Sequence, residues 1–145
     1  MTDDVAYRTL SAETVRDHLD ALIAVAEDVP GEYWAAENFL AERPDKWRFS
    51  FAAWREERLI GYAILSRRAP GHIHLHHFMV SAAERSVGHG ARMVTEMVAR
   101  CRSAGADTLT LKTPQDNSGA IRFYARHGFV ETGVERGHAV MTKTL

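Results

Sequence analysis

Residues 72–93 read HIHLHHFMVSAAERSVGHGARM: an extended run, then a glycine-containing turn, then the first residues of a helix. Over His72 to Val80 the side chains alternate with a period of two, which predicts a strand. The turn that follows is Arg85-Ser86-Val87-Gly88-His89-Gly90-Ala91. Two glycines one residue apart let backbone approach a ligand closely, and a helix starting near Gly88 aims unpaired N–H groups and its positive dipole end at an anion. A pyrophosphate suits that position. The turn lacks the Lys-Ser/Thr ending of a P-loop and the third glycine of a dinucleotide fingerprint, so those nucleotide folds are disfavoured. Met93, Val94, Met97, Val98 and Cys101 give the helix a buried stripe, and Gly105 closes it.

Working outward, Ala6 to Leu10 predicts a first strand, and Ser11 with Glu13 and Thr14 a helix start. Val15, Leu19, Leu22, Ile23 and Ala26 recur at helical spacing up to the break at Pro30-Gly31. A second helix is predicted from about Tyr33 to Ala41, stopped by Pro44. Arg48 to Arg55 and Leu59 to Arg67 flank a charged turn and read as a hairpin, to which the 72–80 strand adds after Pro70-Gly71. Beyond Gly105 come a strand over Asp107 to Lys112, a helix over Asn117 to His127 capped by Asn117 and stopped by Gly128, and strands over Phe129 to Gly133 and His138 to Thr144. The order is strand, two helices, three strands, helix, strand, helix, two strands: a mixed α/β (α+β) sheet of about seven strands with helices on both faces.

The chain has 145 residues, 46% hydrophobic and 26% charged, which predicts a single domain over 1–145 with a substantial core. No apolar stretch approaches the ~18 residues of a membrane span. The N-terminus, MTDDVAYRTL, lacks the basic-then-apolar pattern of a secretory signal, and one cysteine permits no internal disulfide. Cytoplasmic residence is the expectation. A net charge of -1 conceals a split: residues 1–45 hold eleven acids against three arginines, a local charge of -8, and the remainder carries +7. A nucleic-acid binder more often spreads excess positive charge over the whole domain. The split instead suggests a small anionic cofactor and a cationic substrate, with neither nucleic acid nor membrane as partner. Two solvated faces would give the same numbers.

The turn matches the Arg/Gln-x-x-Gly-x-Gly/Ala signature of the GNAT superfamily of acyl-CoA-dependent N-acetyltransferases. About 30 residues downstream, Asn117-Ser118-Gly119-Ala120-Ile121-Arg122-Phe123-Tyr124-Ala125-Arg126-His127-Gly128-Phe129 resembles the family's second motif, Asn-x-x-Ala-x-x-Phe-Tyr-x-x-x-Gly-Phe. Ala82 stands where proline is frequent and His89 where an aliphatic residue is common. The resemblance implies a GNAT-like, mainly antiparallel sheet and acetyl-CoA as acyl-donor cosubstrate. By it, the backbone of Phe78, Met79 and Val80, splayed by a bulge, pairs with the pantetheine arm, and amides of Arg85, Ser86, Val87, Gly88, His89, Gly90 and Ala91 hold the pyrophosphate. Asn117 caps its helix and contacts the cofactor. Tyr124 lies by the thioester sulfur, where it binds the cofactor and protonates the departing thiolate. A homodimer is also compatible with the family.

His72, His74, His76 and His77 fall within six residues. Alternation puts His72, His74 and His76 on one face and Ile73, Leu75 and His77 on the other. His74-Leu75-His76 falls where arylalkylamine N-acetyltransferases carry a His-x-His pair that removes the amine's proton, so His74 and His76 are the expected bases. Their ordinary pKa near ~6.5 predicts a rate limb between roughly pH 6 and 8. His72 and His77 are assigned structural roles. A His-x-His pair can also present two imidazoles to zinc, with Glu131 or His138 as third ligand, but no spacing selects either and no metal is assigned. Cys101 sits on a buried stripe and reads as core, leaving direct transfer rather than an acyl-cysteine. Tyr33, Trp34, Phe39, Trp47 and Trp54 divide between core and an acceptor wall, with Tyr33 and Trp34 the candidate substrate contacts. Together with the acidic first third they point to a small primary amine with an apolar body. A protein or peptide lysine acetyltransferase and a non-catalytic acyl-CoA-binding sensor are the alternatives.

Overall fold

In a computed structural model that describes residues 4–28, 32–85 and 87–145, the alternating segments become seven strands. They are β1 (Val5–Thr9), β2 (Phe51–Arg55), β3 (Arg58–Ala69), β4 (His72–Val80), β5 (Thr108–Pro114), β6 (Val130–Glu135) and β7 (His138–Thr144). The helices are α1 (Ala12–Asp17), α2 (Leu19–Glu27), α3 (Ala36–Leu40), α4 (Lys46–Phe49), α5 (His89–Ser103) and α6 (Ser118–Arg126), with a 3₁₀ turn over Ala82–Glu84. One sheet runs β1-β2-β3-β4-β5-β7-β6. All pairings are antiparallel except β4 with β5, and that parallel pair requires the crossover that α5 supplies.

Two cores lie on opposite faces of the sheet. Phe49, Ile60, Ile73, Leu75, Met93, Met97, Cys101 and Phe129 pack on the α5 side. Val15, Leu22, Phe39, Trp54, Tyr62, Ile64 and Met79 pack on the α1–α3 side. Phe39 and Trp54 are thus core aromatics, as part of the aromatic set was expected to be.

Several boundaries differ from the sequence reading. The helix expected over 11–26 is broken at His18, whose N–H is shared between the Thr14 and Val15 carbonyls and whose φ of -119° leaves the helical range. The Pro30-Gly31 break lies outside the described residues. The second helix shrinks to Ala36–Leu40, capped by Asn38 Oδ1 accepting from Ala35 N at 2.9 Å. A short helix, α4, occupies the predicted start of the hairpin. It begins after Asp45, held in the left-handed region at φ 58° and paired to Arg67 Nε at 2.6 Å. Lys46 explains why α4 forms there. Its ammonium is buried and donates to the carbonyls of Phe39 and Ala41 at 2.6 Å each, capping the C-terminal end of α3.

Inside β4 the bulge that the family resemblance implied is present, but it stands at His76, before Phe78 rather than over Phe78–Val80. Ile64 pairs with His77 but Leu65 pairs with Leu75, so His76 is an extra residue in β4, a β-bulge. A bulge inverts the alternation beyond it. Ile73 and Leu75, then Phe78 and Val80, face α5, whereas His77 turns to the α1–α3 side with Met79. The expectation that His77 shares a face with Ile73 and Leu75 is therefore corrected. His74, His76 and His77 all reach one face.

Candidate active site

β4 and β5 pair only from His72↔Thr108 to Leu75↔Leu111, while β4 stays paired to β3 as far as Gly61↔Val80. Past the bulge the two strands part, and the β5-facing edge of β4 from His76 to Val80 has no partner strand among the described residues. Three connected hollows occupy this opening. A groove of about 730 Å³ is lined by Phe78, Val80, Arg85, Gly88, Gly90, Ala91 and Asn117. A junction of about 190 Å³ is lined by Glu32, His76, His77, Phe78, Met79, Asn117 and Tyr124. A cleft of about 540 Å³ is lined by Glu32, Tyr33, Trp34, His74, His76, His77, Lys112, Glu135 and Arg136, of which Lys112 also lines the junction. Phe78, Asn117 and Ala120 are common to groove and junction; Glu32, His76 and His77 are common to junction and cleft.

The groove is shaped by two glycines with different duties. Gly88 caps α5 at φ 89°, a conformation L side chains rarely adopt. At Gly90 a Cβ would stand 3.3 Å from the Phe123 ring, so a side chain there would narrow the groove between α5 and α6. Arg85 folds back, its Nε donating to Val80 O at 3.0 Å. His89 does not line the groove. Its buried ring sits 3.4 Å from Glu84 and contacts Arg55 and Arg92, so that side chain supports the turn from beneath. Val87 is exposed, Met79 points its side chain to the opposite core, and Ser86 lies outside the described residues. Asn117 caps α6, its Oδ1 accepting from Ala120 N at 3.1 Å.

At the junction Tyr124 packs edge-on against Phe123 and Phe129. Burial, reinforced by the Glu32 carboxylate, raises its phenol above the usual range, so it stays a proton donor. His77 is sandwiched by Trp34, whose ring centroid is 4.5 Å away at 14°, and Tyr62. Its Nδ1 bonds the Tyr62 hydroxyl at 2.8 Å. Its buried Nε2 has no hydrogen-bond partner among the described residues and faces Glu32 Oε2 at 3.5 Å. Glu32 and His77 line both junction and cleft, and sequence reasoning assigned neither to the candidate site. Glu32 stands in a linker without periodicity, and His77 is brought round only by the bulge.

His74 Nδ1 and His72 Nε2 both bond Thr110 Oγ1, at 2.8 and 2.7 Å, and His76 Nε2 bonds Ser66 Oγ at 2.6 Å. Burial, followed by the positive charge of Arg68, pulls His74 down to about 3. Burial and then Arg43 and Arg68 pull His76 to about 4. The expectation of ordinary imidazoles near ~6.5 is therefore corrected: both rings stay neutral from pH 8 down to well below pH 6. His72 is in its structural place. Among the described residues, no three His, Cys, Asp or Glu side chains are grouped to hold a metal ion. Cys101 is buried on α5, and burial lifts its thiol to about 11, so it is not a ready nucleophile. Of the acids in the first 45 residues, only Glu32 lines the cleft among those described.

Residues 12–129 match the model of the acetyltransferase (GNAT) family. A comparison with curated proteins finds no match. Among solved structures, Ard1 from Thermoplasma volcanium superposes with a TM-score of 0.84 at 19% identity, over 99% of each chain. The PaiA N-acetyltransferase from Thermoplasma acidophilum, solved in complex with coenzyme A, gives 0.80 at 17% identity over 99% of this chain and 100% of its own. The ribosomal-protein-S18-alanine N-acetyltransferase from Escherichia coli gives 0.82 at 17% identity over 97% and 93%. At such identities the likeness is one of fold. The family match spans both the glycine turn and the Asn117–Phe129 motif, and on that match the chain belongs to the acetyltransferase (GNAT) family.

Proposed function

We propose that the chain acts as one catalytic domain that transfers the acetyl group of acetyl-CoA, the family's donor, to the primary amine of a small molecule by direct attack in a ternary complex. The observation that carries this reading is the continuity of groove, junction and cleft, with Tyr124 and Asn117 at the point where they meet. In this reading the amides of the Arg85–Ala91 turn and the start of α5 take the pyrophosphate. The unpartnered edge at Phe78, Met79 and Val80 hydrogen-bonds the pantetheine arm, and Asn117 lines its path.

The amine enters from the cleft, past Tyr33 and Trp34. Its nitrogen attacks the thioester carbon, the carbon–sulfur bond breaks, and the Tyr124 hydroxyl gives its proton to the leaving sulfur. His76, which lines both junction and cleft, receives the amine's proton and passes it toward His74, whose ring lies 4.9 Å away, and to water. Because both rings resist protonation, they act as transient relays. Glu32 supplies the negative charge that draws an ammonium to the junction. Trp34 and Tyr33 favour an apolar body, as an arylalkylamine has, although Tyr33 is 58% exposed. The lone buried Cys101 fits a reducing compartment, and we place the enzyme in the cytoplasm, as monomer or homodimer.

A panel of arylalkylamines, polyamines, aminoglycosides and lysine peptides with acetyl-CoA, read by release of free thiol, tests the proposal. Turnover confined to small amines is expected; turnover confined to peptides would transfer the site to protein substrates.

A further inference from the structure

Nε2 of His77 is buried at the junction with no hydrogen-bond partner among the described residues, and its surroundings fix what that atom is. The ring lies between Trp34 and Tyr62, at 14° and 21° to them, and Phe39 packs T-shaped against both, which holds its plane. Tyr62 is fully buried on β3. Burial, followed by the charge of Glu32, raises its phenol, so the hydroxyl keeps its proton. The only hydrogen bond of that hydroxyl among the described residues is with His77 Nδ1, at 2.8 Å. A neutral imidazole has one N–H and one acceptor nitrogen. Were the proton on Nδ1, the buried phenol would lack an acceptor and a lone pair on Nε2 would face the Glu32 carboxylate. With Tyr62 donating to Nδ1, the proton sits on Nε2 and points at Glu32 Oε2, 3.5 Å away. At that distance the attraction is that of an N–H dipole for a full negative charge. Glu32 has no other ion pair or hydrogen bond among the described residues, and residues 32–35 are neither helix nor strand.

We infer that the Tyr62 hydroxyl sets the tautomer of His77 and that the His77 Nε2–H orients the Glu32 carboxylate, so that His77 is the positioning residue of the ammonium anchor. This rests on the reading of the cleft as the amine site and of Glu32 as the charge that draws the ammonium there. The arrangement moves no proton. A neutral His77 leaves the negative charge of Glu32 whole for the acceptor, whereas an imidazolium would cancel it. Its place suits the task, since His77 and Glu32 both line junction and cleft, and the junction also takes in Tyr124. A carboxylate already oriented loses less freedom when the ammonium arrives than one carried on an unrestrained linker.

Two measurements on the full chain test the inference. Long-range nitrogen–proton correlation spectra of histidine-labelled protein at about pH 8, with His77 identified by the signals lost in His77→Gln, are expected to show the Nε2–H tautomer. An Nδ1–H tautomer or an imidazolium overturns the inference. Calorimetry on protein saturated with CoA, which permits no turnover, supplies the second, with phenethylamine, tyramine and cadaverine as probes. His77→Leu is expected to weaken amine binding about tenfold with CoA affinity unchanged. His77→Gln, whose amide can set an N–H near the same point, should recover most of the loss. Because His77 acts through Glu32, His77→Leu should cost nothing further in a Glu32→Gln background. Should His77→Leu fail to fold, His77→Asn, which keeps a polar group for Tyr62 but falls short of Glu32, takes its place in the cycle. Unchanged amine binding in the single variant, or an equal loss in the Glu32→Gln background, makes His77 a packing residue and overturns the inference. Binding of none of the three amines by the wild type overturns the small-amine reading, and the anchor with it. A wrong tautomer overturns the inference alone, so the two failures are distinguishable.

Discussion

Replacing Tyr124 by Phe removes one hydroxyl and keeps the ring that packs on Phe123 and Phe129. If the phenol protonates the leaving thiolate, turnover should fall by about tenfold to a thousandfold while acetyl-CoA affinity holds. Steady-state kinetics beside calorimetry separate the two, and an unchanged turnover number with chemistry rate-limiting would leave Tyr124 a packing residue. The histidines lead to a different pH dependence from the one their type suggests. With His74 near 3 and His76 near 4, neither changes charge between pH 6 and 8. The rising limb of the rate should therefore follow the acceptor's own pKa across amines of different basicity; a limb fixed near neutrality for every acceptor would return the role to an ordinary imidazole. The same shifts act on stability. Unfolded histidines bind protons near ~6.5 and the folded ones only below about 4, so the folded state should lose stability as pH falls from about 6.5 toward 4. Melting temperatures across that window should drop in the wild type and flatten in an H74Q/H76Q double variant.

Among the elements, the start of α5 and the capping of α3 can be tested separately. A Cβ at Gly90 would meet Phe123 at 3.3 Å on the groove side, so Gly90→Asp should weaken acetyl-CoA binding by crowding the groove and placing a negative charge beside phosphates. Gly90→Ala should weaken it less, since Phe123 need yield only slightly, and equal affinity of all three proteins by calorimetry would remove the turn from the site. Lys46→Met would strip α3 of the buried ammonium that its last carbonyls bond, at a cost of about 2 kcal/mol and a melting point lower by about 5 to 10 °C. Most strands were legible because alternation and turn residues carry them, and α5 and α6 because their glycines and Asn117 mark their ends. The segments that went unread depend on tertiary contacts. α4 exists because Lys46 finds the end of α3 and Asp45 finds Arg67. The β4 bulge was expected from the family resemblance alone, and its place at His76 has no local signal, since an inserted residue leaves the composition of the strand untouched.

Over the whole molecule, two motifs far apart in sequence come to line one groove, as their reading as a single site expected, whereas the residues of the cleft were much less legible. Net charge by segment misled, because Glu32 is the sole described acid of the first 45 residues to reach the cleft, while Lys112, Glu135 and Arg136 arrive from β5 and a distant hairpin. Sequence distance cannot report which charges converge in space. The proposed reading of the connected path from groove to cleft predicts one property of the assembled enzyme: the acetyl group should cross directly from donor to amine, with no stop on the protein. A single-turnover experiment measures this most directly, mixing enzyme in excess with acetyl-CoA, with and without an acceptor found by the amine panel, and following free thiol together with intact protein mass. The account predicts no thiol burst and an unmodified protein without amine, then one equivalent of thiol and of acetylated amine when the amine is present. A stoichiometric burst without amine that leaves an acetyl group on the chain, at Cys101 or elsewhere, would contradict it.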